Sequence, residues 1–365
     1  MWSNLPFDLL ANIFSYLSPD SLARARAACR TWHATAEQGV CRRIRHPPWF
    51  VALPTRSWGL LSCYAHNPIQ DNWHALNLDS TTTPIKPIAT IGGLILLKVV
   101  AAATSLHLAI CNPFTNQFRA LPALRVARTN PAVGLVLGGD DQNRTGFKIY
   151  VAGGMSEAAS GGGAAYQPTV EMYDSFGGEW RVIGAMPVEF AVRLTVWTPN
   201  ESVYLNGMLY WMTSARAYSV MGFSISSNMW RELSVPMADR LEFAALVPRK
   251  GRLAVVGGTC GGGGCVWELG GDDSWVVVGE VPFELGIGLL GEKMNWGCVK
   301  CVGIDGAICL YRDLGSGILL WREERNNRTN NNNKWEWLWI HGCSSVHTFP
   351  IKGMLLQPNL ARSTF

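Results

Sequence analysis

Residues 223–236 read FSISSNMWRELSVP, and residues 173–187 read YDSFGGEWRVIGAMP. In both segments an aromatic residue follows a turn of small or polar residues. It begins a short strand-like run that ends near a proline. Short runs punctuated by Gly, Asn, Asp and Pro are typical of β-strands joined by tight turns. The same form recurs as HNPIQDNWHALNL (66–78), CNPFTNQFRALP (111–122) and WELGGDDSWVVVGEVP (267–282), and more faintly around Trp335, Trp337 and Trp339. The chain therefore contains an internal repeat of short strands.

The spacing of this repeat predicts a closed ring of six units. Its aromatic positions are Trp73, Phe118, Trp180, Trp230, Trp275 and Trp337, at intervals of 45, 62, 50, 45 and 62 residues. A blade of a kelch-type β-propeller has about 50 residues. The two long intervals contain a Gly/Ala/Ser-rich insertion at 156–165 and an Asn-rich insertion at 326–333, which we expect to be flexible loops. We therefore predict a six-bladed β-propeller, whose closure protects the strand edges.

In three of the repeats, two large side chains lie seven residues apart. The pairs are Tyr173 with Trp180, Phe223 with Trp230, and Cys111 with Phe118. An odd separation across a turn places both members in neighbouring strands of one blade. We expect them to pack between adjacent blades.

The composition favours one large fold with a small appendage. The chain has 365 residues, of which 48% are hydrophobic and 16% are charged, whereas an average soluble domain has about 25% charged residues. This length exceeds that of a usual single core. Its net charge of +4 is scattered along the sequence, so we expect no direct nucleic-acid partner.

Residues 88–110 are apolar enough to suggest a membrane span. However, Lys98 and the pair Gly92-Gly93 would be costly at bilayer depth. We therefore predict two successive buried strands here, and no membrane partner. The opening MWSNLPFDLL lacks the basic region of a signal peptide. The expected localisation is cytoplasmic or nuclear, with the ten cysteines reduced and used mainly as small buried side chains.

The first 46 residues have a different pattern, which predicts two or three helices. Their apolar positions follow the spacing of one helical face: Leu5, Leu9, Leu10, Ile13, Phe14 and Leu17. Asn4 is the predicted cap of the first helix. Residues 18–20 break the pattern, and a second helix is expected from Leu22 through Cys29 and Trp32. A unit this small cannot bury its apolar stripe alone, so it needs a partner surface.

No catalytic or metal-binding motif accompanies these features. Phosphate loops, zinc-protease helices and nucleophile elbows are missing from the sequence. The glycine run at 261–264 indicates a turn, because no helix pattern follows it. Cys298 and Cys301 have the spacing of a zinc or redox site, with Cys260 and Cys265 as a second pair. Residues three apart on a strand point to opposite faces, so we predict no metal, no cofactor and no catalytic residue.

Residues 5–32, LPFDLLANIFSYLSPDSLARARAACRTW, resemble the F-box in their Leu-Pro start, their apolar first helix and their closing Cys-basic-x-Trp. The remainder is similar to the kelch propellers of the plant F-box/kelch group. Gly153-Gly154 and Gly257-Gly258, each followed by spaced aromatic residues, match the double-glycine pattern of these propellers. In the fourth blade, Asn206-Gly207 replaces the double glycine. The fold class is thus multidomain, with an α-helical F-box at 1–46 and an all-β, six-bladed kelch-type propeller at 47–365.

The resemblance implies that the helices bind the adaptor protein of a cullin scaffold. By position in the F-box, the adaptor-binding residues would be Leu5, Pro6, Leu9, Leu10, Ile13, Leu17, Leu22, Arg26, Cys29 and Trp32. Ala23, Ala25, Ala27 and Ala28 stand where bulkier aliphatic residues are common, which predicts weaker binding by the second helix. An amphipathic cap that merely packs on the propeller is the alternative interpretation.

The resemblance also implies a function without catalysis. The chain would be the substrate-recognition subunit of an SCF-type cullin-RING ubiquitin ligase, whose propeller binds a protein target for ubiquitination and proteasomal degradation. The alternative is a non-proteolytic adaptor or transcription cofactor that bridges protein partners. An oxidase built on kelch blades would require converging His and Tyr ligands, which the sequence does not indicate. The target and the residues that bind it are unknown.

Overall fold

A computed structural model of the protein describes residues 5–37, 47–55, 61–78, 84–100, 105–138, 146–157, 163–196, 202–291, 295–323, 335–343 and 350–358. The Asn-rich insertion at 326–333 and half of the Gly/Ala/Ser-rich insertion, residues 158–162, lie outside the described residues. Within the described part of the chain, no helix is long and apolar enough to cross a membrane.

The N-terminal segment folds into three helices, α1 (Phe7–Phe14), α2 (Pro19–Ala28) and α3 (Arg30–Glu37). Pro6 occupies the N-cap position of α1, and Asn4, the predicted cap, lies outside the described residues. The second helix begins earlier than predicted, since the Ser18 side chain accepts a bond from the Ser21 N–H and Pro19 suits a first helical position. It also ends earlier, because Cys29 is extended and separates α2 from α3, which carries Trp32.

Six four-stranded antiparallel sheets follow, which confirms the predicted six-bladed propeller. The first blade contains β1 (Trp49–Pro54), β2 (Leu61–Asn67), β3 (Asn72–Leu78) and the C-terminal strand β26 (Ile351–Leu356), and the second contains β4 (Ile85–Ile91), β5 (Leu94–Val99), β6 (His107–Asn112) and β7 (Gln117–Ala120). The third contains β8 (Ala132–Leu137), β9 (Phe147–Ala152), β12 (Thr169–Asp174) and β13 (Glu179–Ala185).

The remaining three blades follow in chain order. The fourth contains β14 (Ser202–Leu205), β15 (Met208–Ser214), β16 (Tyr218–Ser224) and β17 (Trp230–Ser234). The fifth contains β18 (Leu241–Arg249), β19 (Arg252–Thr259), β20 (Gly264–Leu269) and β21 (Trp275–Glu280), and the sixth contains β22 (Lys300–Ile304), β23 (Ala307–Tyr311), β24 (Ile318–Glu323) and β25 (Trp335–Ile340). Helix α4 (Val188–Val196) connects the third blade to the fourth, and α5 (Phe283–Leu290) and a 3₁₀ turn, Trp296–Cys298, connect the fifth to the sixth.

The C-terminal strand closes the ring. β26 pairs with β1 and is the innermost strand of the first blade, whose other three strands come from the start of the propeller. The innermost strands β26, β4, β8, β14, β18 and β22 contact one another in this order, and β22 contacts β26 in turn. Because closure joins the two ends of the propeller, each blade has a neighbour on both sides.

Three details of the sequence analysis need correction. Residues 88–110 cover parts of three strands, β4 to β6, rather than two. The insertion at 156–165 is not entirely a loop, because β10 (Met155–Glu157) and β11 (Ala164–Tyr166) pair as a hairpin. Asn206-Gly207 is the turn between β14 and β15, where both residues have positive φ. In the fifth blade, Gly257 and Gly258 lie six and seven positions after the corresponding turn. In the fourth blade, the residues at these two positions are Thr213 and Ser214 on β15.

The repeated aromatic residues lie on the outermost strand of each blade and pack between blades. Tyr173 is the cross-strand partner of Trp180, and Phe223 is the partner of Trp230, so the seven-residue spacing is confirmed. The first pair joins a core with Leu96 and Ile110 of the second blade. Six such cores occur, one between each two neighbouring blades: second–third, third–fourth, fourth–fifth, fifth–sixth, sixth–first and first–second.

Four of these tryptophans also make a hydrogen bond to the preceding blade, which we call a cross-blade indole bond. The indole N–H donates to a carbonyl at or just after the end of the preceding outermost strand: Trp73 to His341 (3.0 Å), Trp180 to Pro122 (2.9 Å), Trp230 to Ala185 (3.2 Å) and Trp275 to Ser234 (2.8 Å). Phe118 cannot form this bond because it has no N–H. The repeated tryptophan therefore indicates a hydrogen bond between blades as well as a turn within each blade.

Candidate functional site

The three N-terminal helices share a small core of their own. Leu10, Phe14, Leu22, Ala25 and Ala36 are buried together. The Trp32 ring packs edge-on against Phe14, with ring centroids 5.5 Å apart. Two members of the predicted adaptor-binding set, Leu10 and Leu22, therefore point inward, and the side chain of Leu10 is only 1% exposed.

Other members of the predicted set lie on the surface. Leu9 is 48% exposed and Ile13 is 41% exposed, and these two residues are one helical turn apart on α1. Pro6 and Cys29 are also exposed, whereas Leu5, Leu17, Arg26 and Trp32 are half-buried. Two exposed aromatic residues of this segment, Phe7 and Tyr16, were not among the predicted contacts, and Tyr16 is 70% exposed. The i, i+4, i+7 spacing of Leu9, Ile13 and Tyr16 could have revealed this face.

A shallow groove of about 360 Å³ lies beside this face. It is lined by Leu10, Ile13, Phe14, Leu17, Ser21, Arg24, Ala25 and Trp32. Its walls are mainly apolar, and α1 and α2 both contribute to it. Apolar side chains that remain exposed beside an apolar groove are typical of a surface that binds another protein. Of the four alanines predicted to weaken adaptor binding by the second helix, Ala25 lies in the core, while Ala23, Ala27 and Ala28 are exposed.

The cysteines of the two candidate pairs differ in exposure, and in the second pair Cys260 is exposed while Cys265 is half-buried. Cys298 is exposed in the 3₁₀ turn, whereas Cys301 is buried on β22. Within the described ranges, no group of three His, Cys, Asp or Glu side chains could hold a metal ion. Burial raises the pKa of the Cys63 thiol and that of the Cys111 thiol to about 12. Such thiols stay protonated at neutral pH, and protonated thiols are poor nucleophiles and metal ligands.

The other candidate motifs have structural roles. The turn between β19 and β20 contains Gly261, Gly262 and Gly263 of the glycine run, as predicted, and Gly264 begins β20. Gly258 and Gly264 flank this turn, and a Cβ at either position would overlap the Trp296 ring. These glycines therefore make room for a buried tryptophan, whose indole N–H donates to the Gly262 carbonyl at 3.1 Å.

Comparison with known proteins agrees with this architecture. Residues 2–46 match the F-box-like family, and residues 49–277 match the F-box associated beta propeller domain. The second match covers more than half of the 365 residues. The chain belongs to the F-box proteins with an F-box-associated β-propeller.

Similar members of this family occur in Arabidopsis thaliana. F-box only protein 6 is 24% identical over 94% of this chain and 70% of its own length. Protein UNUSUAL FLORAL ORGANS is 22% identical over 94% of this chain and 79% of its own length. An F-box/kelch-repeat protein is 25% identical over 99% of this chain and 90% of its own length.

The match to the propeller family ends within β21. The sixth blade and the closing strand β26 follow this position, and they complete the ring. In this F-box protein the six-bladed architecture thus extends beyond the matched residues. The domain limits at residues 46 and 47 and the individual adaptor-binding residues remain predictions.

Proposed function

We propose that this F-box protein is the substrate-recognition subunit of an SCF-type cullin-RING ubiquitin ligase. In this proposal the helices α1 to α3 bind a Skp1-type cullin adaptor, and the propeller binds a protein target that is then ubiquitinated. The chain contributes no catalytic group. Its role is to hold the target close to the transfer enzyme, which raises the effective concentration of target lysines.

The exposed apolar face of α1 is the observation that carries this proposal. Leu9 and Ile13 remain in solvent although the helical unit has a core, and the groove lined by Ile13, Leu17 and Trp32 continues the same surface. Apolar anchors at i and i+4 beside a groove suit a helical partner. Burial of this face against an adaptor would remove from water side chains that the unit itself cannot cover.

The propeller supports the second half of the proposal as a rigid scaffold. The six cores between blades and the cross-blade indole bonds hold its strands in place, so the strand ends at its rims are fixed in position. Loops on a rigid scaffold commonly carry binding specificity. A target captured there would be carried to the ligase by the helices of the same chain.

A binding assay with purified Skp1-type adaptor tests the first half. The double variant Leu9→Arg/Ile13→Arg charges two exposed positions and leaves the buried Leu10 unchanged. We expect its affinity for the adaptor to fall by at least about 100-fold, because central interface residues contribute about 2 kcal/mol or more each. The matched control is Phe283→Arg on α5, which charges a side chain that is 72% exposed in the propeller.

The proposal holds if the wild-type chain and the control variant bind while the double variant, with an unchanged circular dichroism spectrum, does not. It fails if the wild-type chain does not bind the adaptor. If the chain binds the adaptor, a ubiquitination assay with the reconstituted ligase distinguishes a substrate receptor from a bridging protein. Transfer of ubiquitin to a propeller-bound protein supports the receptor role, and adaptor binding without transfer supports a non-proteolytic bridging role.

A further inference from the structure

Helix α5 presents an apolar stripe to solvent. It connects the fifth blade to the sixth, and Leu289 and Leu290 anchor it in the core between these blades. Phe283 is 72% exposed, and Ile287, one helical turn later, is 43% exposed. Side chains at i and i+4 are neighbours on a helix surface. The packing of α5 on the propeller therefore does not use this stripe.

The equivalent helix α4 differs from α5 at this surface. Both helices follow the outermost strand of a blade, and their first residues come directly after a proline: Pro187-Val188-Glu189 in α4 and Pro282-Phe283-Glu284 in α5. Five positions after the first apolar residue, α4 carries Arg193, whose guanidinium pairs with Glu232 at 2.7 Å. The corresponding residue of α5 is Gly288. Helix α5 thus combines a larger apolar side chain with the loss of a basic one.

Gly288 is an exposed glycine inside this helix. Glycine is less favourable in a helix interior than every residue except proline. The packing of α5 does not require it, because among the described residues a Cβ at Gly288 would meet the Trp339 ring at 3.5 Å, an ordinary contact distance. A glycine lets another backbone approach closely. The glycine therefore suits a partner that lies against α5 rather than the fold of the chain itself.

Two carboxylates beside the apolar stripe have no cation partner among the residues described. Glu284 follows Phe283 on α5, and Glu280 is the last residue of β21, and both are exposed. Arg312 contacts the C-terminal end of α5, where it donates to a backbone carbonyl, and it pairs with Asp313 rather than with either glutamate. The surface next to the stripe is therefore acidic.

We propose that the surface formed by Glu280, Phe283, Glu284, Ile287 and Gly288, which we call the α5 face, binds a basic amphipathic helix of the protein target. This inference rests on the proposed function, in which the propeller binds a protein target. It adds the chemical class of the segment that is bound and its place on the propeller.

A basic amphipathic helix matches the α5 face in three respects. Its apolar side covers Phe283 and Ile287 and removes them from water. Its Lys or Arg side chains flank that apolar side and can reach Glu280 and Glu284, and such opposite charges speed the encounter and fix the orientation. Gly288 lets the two helices approach closely. An acidic helix would instead place like charges against the two glutamates, which selects against it.

Fluorescence anisotropy with model helices tests this inference on the full chain. The probe is a fluorescein-labelled peptide of four Leu-Lys-Lys-Leu repeats. Four Leu-Glu-Glu-Leu repeats reverse the charge, and four Ala-Lys-Lys-Ala repeats remove the large apolar side chains. We expect saturable binding of the probe, with an affinity at least about tenfold above that of either other peptide, a difference of about 1.4 kcal/mol. Added salt should weaken this binding, because exposed charges are screened.

Three variants locate the binding site. Phe283→Arg/Ile287→Arg should lower the affinity for the probe at least about tenfold, since it removes both apolar anchors and adds like charge. Glu280→Gln/Glu284→Gln should lower it about fivefold and flatten its salt dependence. Gly288→Ala should raise the urea midpoint of the free chain, because alanine favours a helix. It should nevertheless lower the affinity at least about fivefold, because the added methyl group overpacks the contact.

Two control variants separate this inference from the proposed function. Val188→Arg on α4 charges the position equivalent to Phe283 and should bind the probe as the wild type does. Leu9→Arg/Ile13→Arg, which tests adaptor binding, should also bind the probe normally, because its substitutions lie on α1. Phe283→Arg should in turn bind the adaptor normally, so each proposal can fail without the other.

Four results would overturn the inference. They are the absence of saturable binding, equal affinity for the glutamate peptide, unchanged affinity in Phe283→Arg/Ile287→Arg, and loss of binding in Leu9→Arg/Ile13→Arg, which would place the probe on the helical unit. Light scattering of the free chain covers a further occupant. A dimer that Phe283→Arg/Ile287→Arg separates would show that the α5 face joins two copies of this chain, and this result too would overturn target binding there.

Discussion

The helical unit and the propeller of this F-box protein bury their apolar side chains in opposite ways. The helices form one core of five buried residues and leave Leu9 and Ile13 in solvent. Each blade of the propeller instead places its large side chains against its neighbour, and ring closure supplies every blade with a neighbour. Each blade thus packs against its neighbours within the ring, whereas Leu9 and Ile13 give the helices an apolar face that a partner can cover.

This contrast predicts where substitutions act. In the propeller, a substitution in a core between two blades should lower the free energy of unfolding and leave the affinity for the adaptor unchanged. In the helical unit, a substitution of an exposed apolar residue should lower the affinity for the adaptor and leave the free energy of unfolding unchanged. The four predictions below test this separation, in order of decreasing expected effect.

The largest effect is expected from Arg128→Ala in the propeller. Arg128 and Glu171 form a fully buried ion pair. The Arg128 guanidinium also donates to the carbonyl oxygens of Gly153 and Thr169, and Glu171 accepts the N–H groups of Arg125 and Val126. Removal of one partner leaves a buried charge uncompensated, which costs about 3–5 kcal/mol.

Urea unfolding measures this loss. Tryptophan fluorescence reports mainly the propeller, because fourteen of the sixteen tryptophans (all except Trp2 and Trp32) follow residue 46. The matched control is Arg181→Ala, whose partner Glu179 is exposed, and its urea midpoint should equal that of the wild type. Equal midpoints for both variants would show that the buried pair does not support the blades.

The second prediction concerns the helical unit and compares two adjacent leucines. Leu10→Ala should destabilise the helices by about 3 kcal/mol, since it empties part of a small core. Leu9→Ala should leave their stability almost unchanged and weaken adaptor binding instead. Hydrogen exchange of residues 5–37, followed by mass spectrometry, measures the first effect, and adaptor titration measures the second. Faster exchange in both variants would mean that Leu9 is part of the fold rather than of a binding face.

Much of the propeller could be predicted from the sequence because its repeat is a local signal. Tyr173 and Trp180 are seven residues apart, and a short turn makes them cross-strand partners in the structure. The same local geometry recurs in other blades, so counting the aromatic positions gives the blade number. The helical face was predicted in outline for a similar reason, since the spacing of Leu9 and Ile13 reflects one helical turn.

The features that could not be predicted depend on long-range contacts or on backbone detail. Ring closure by β26 leaves no local pattern, so the sequence does not indicate that Lys86 and Lys352 line one pocket of the propeller. A helical periodicity cannot tell an inward leucine from an outward one when both are apolar, and so Leu10 and Leu9 were placed on one face. The break between α2 and α3 at Cys29 follows from its extended backbone, for which no Gly or Pro gives a signal.

The third prediction tests whether the cross-blade indole bonds contribute to the propeller. Trp230→Phe removes the bond from the indole N–H to the Ala185 carbonyl and should cost about 1 kcal/mol. The matched control is Trp335→Phe in the sixth blade. The buried indole N–H of Trp335 bonds no acceptor among the residues described, so its loss removes an unsatisfied donor.

Urea unfolding of the two variants gives the comparison. The Trp230 variant should unfold at lower urea than the Trp335 variant, although both lose a similar aromatic volume. Adaptor affinity should be unchanged in both, because the helical unit is not altered. If the Trp335 variant is the less stable of the two, ring volume rather than the indole bond holds the blades together.

The smallest effect is a pH dependence that belongs to the propeller alone. His66 on β2 is buried against Trp73, and its Nε2 lies 3.0 Å from Asp71 Oδ1. Burial lowers the pKa of His66, although Asp71 opposes the shift. The unfolded chain therefore takes up a proton at His66 more readily than the folded one does. Stability is complete above about pH 6.5, the ordinary pKa of histidine, and is lost as the pH falls through the lower folded value.

Urea midpoints between pH 7.5 and 5.5 measure this slope in the wild type and in His66→Gln. The variant should show a flatter dependence, since glutamine does not titrate. His33 lies in the helical unit, so the variant His33→Gln keeps His66 and should retain the slope of the wild type. A slope that persists in His66→Gln would assign the pH dependence to other groups. A slope that disappears in His66→Gln would show that protonation of His66 in the first blade, whose innermost strand closes the ring, accounts for the loss of stability in acid.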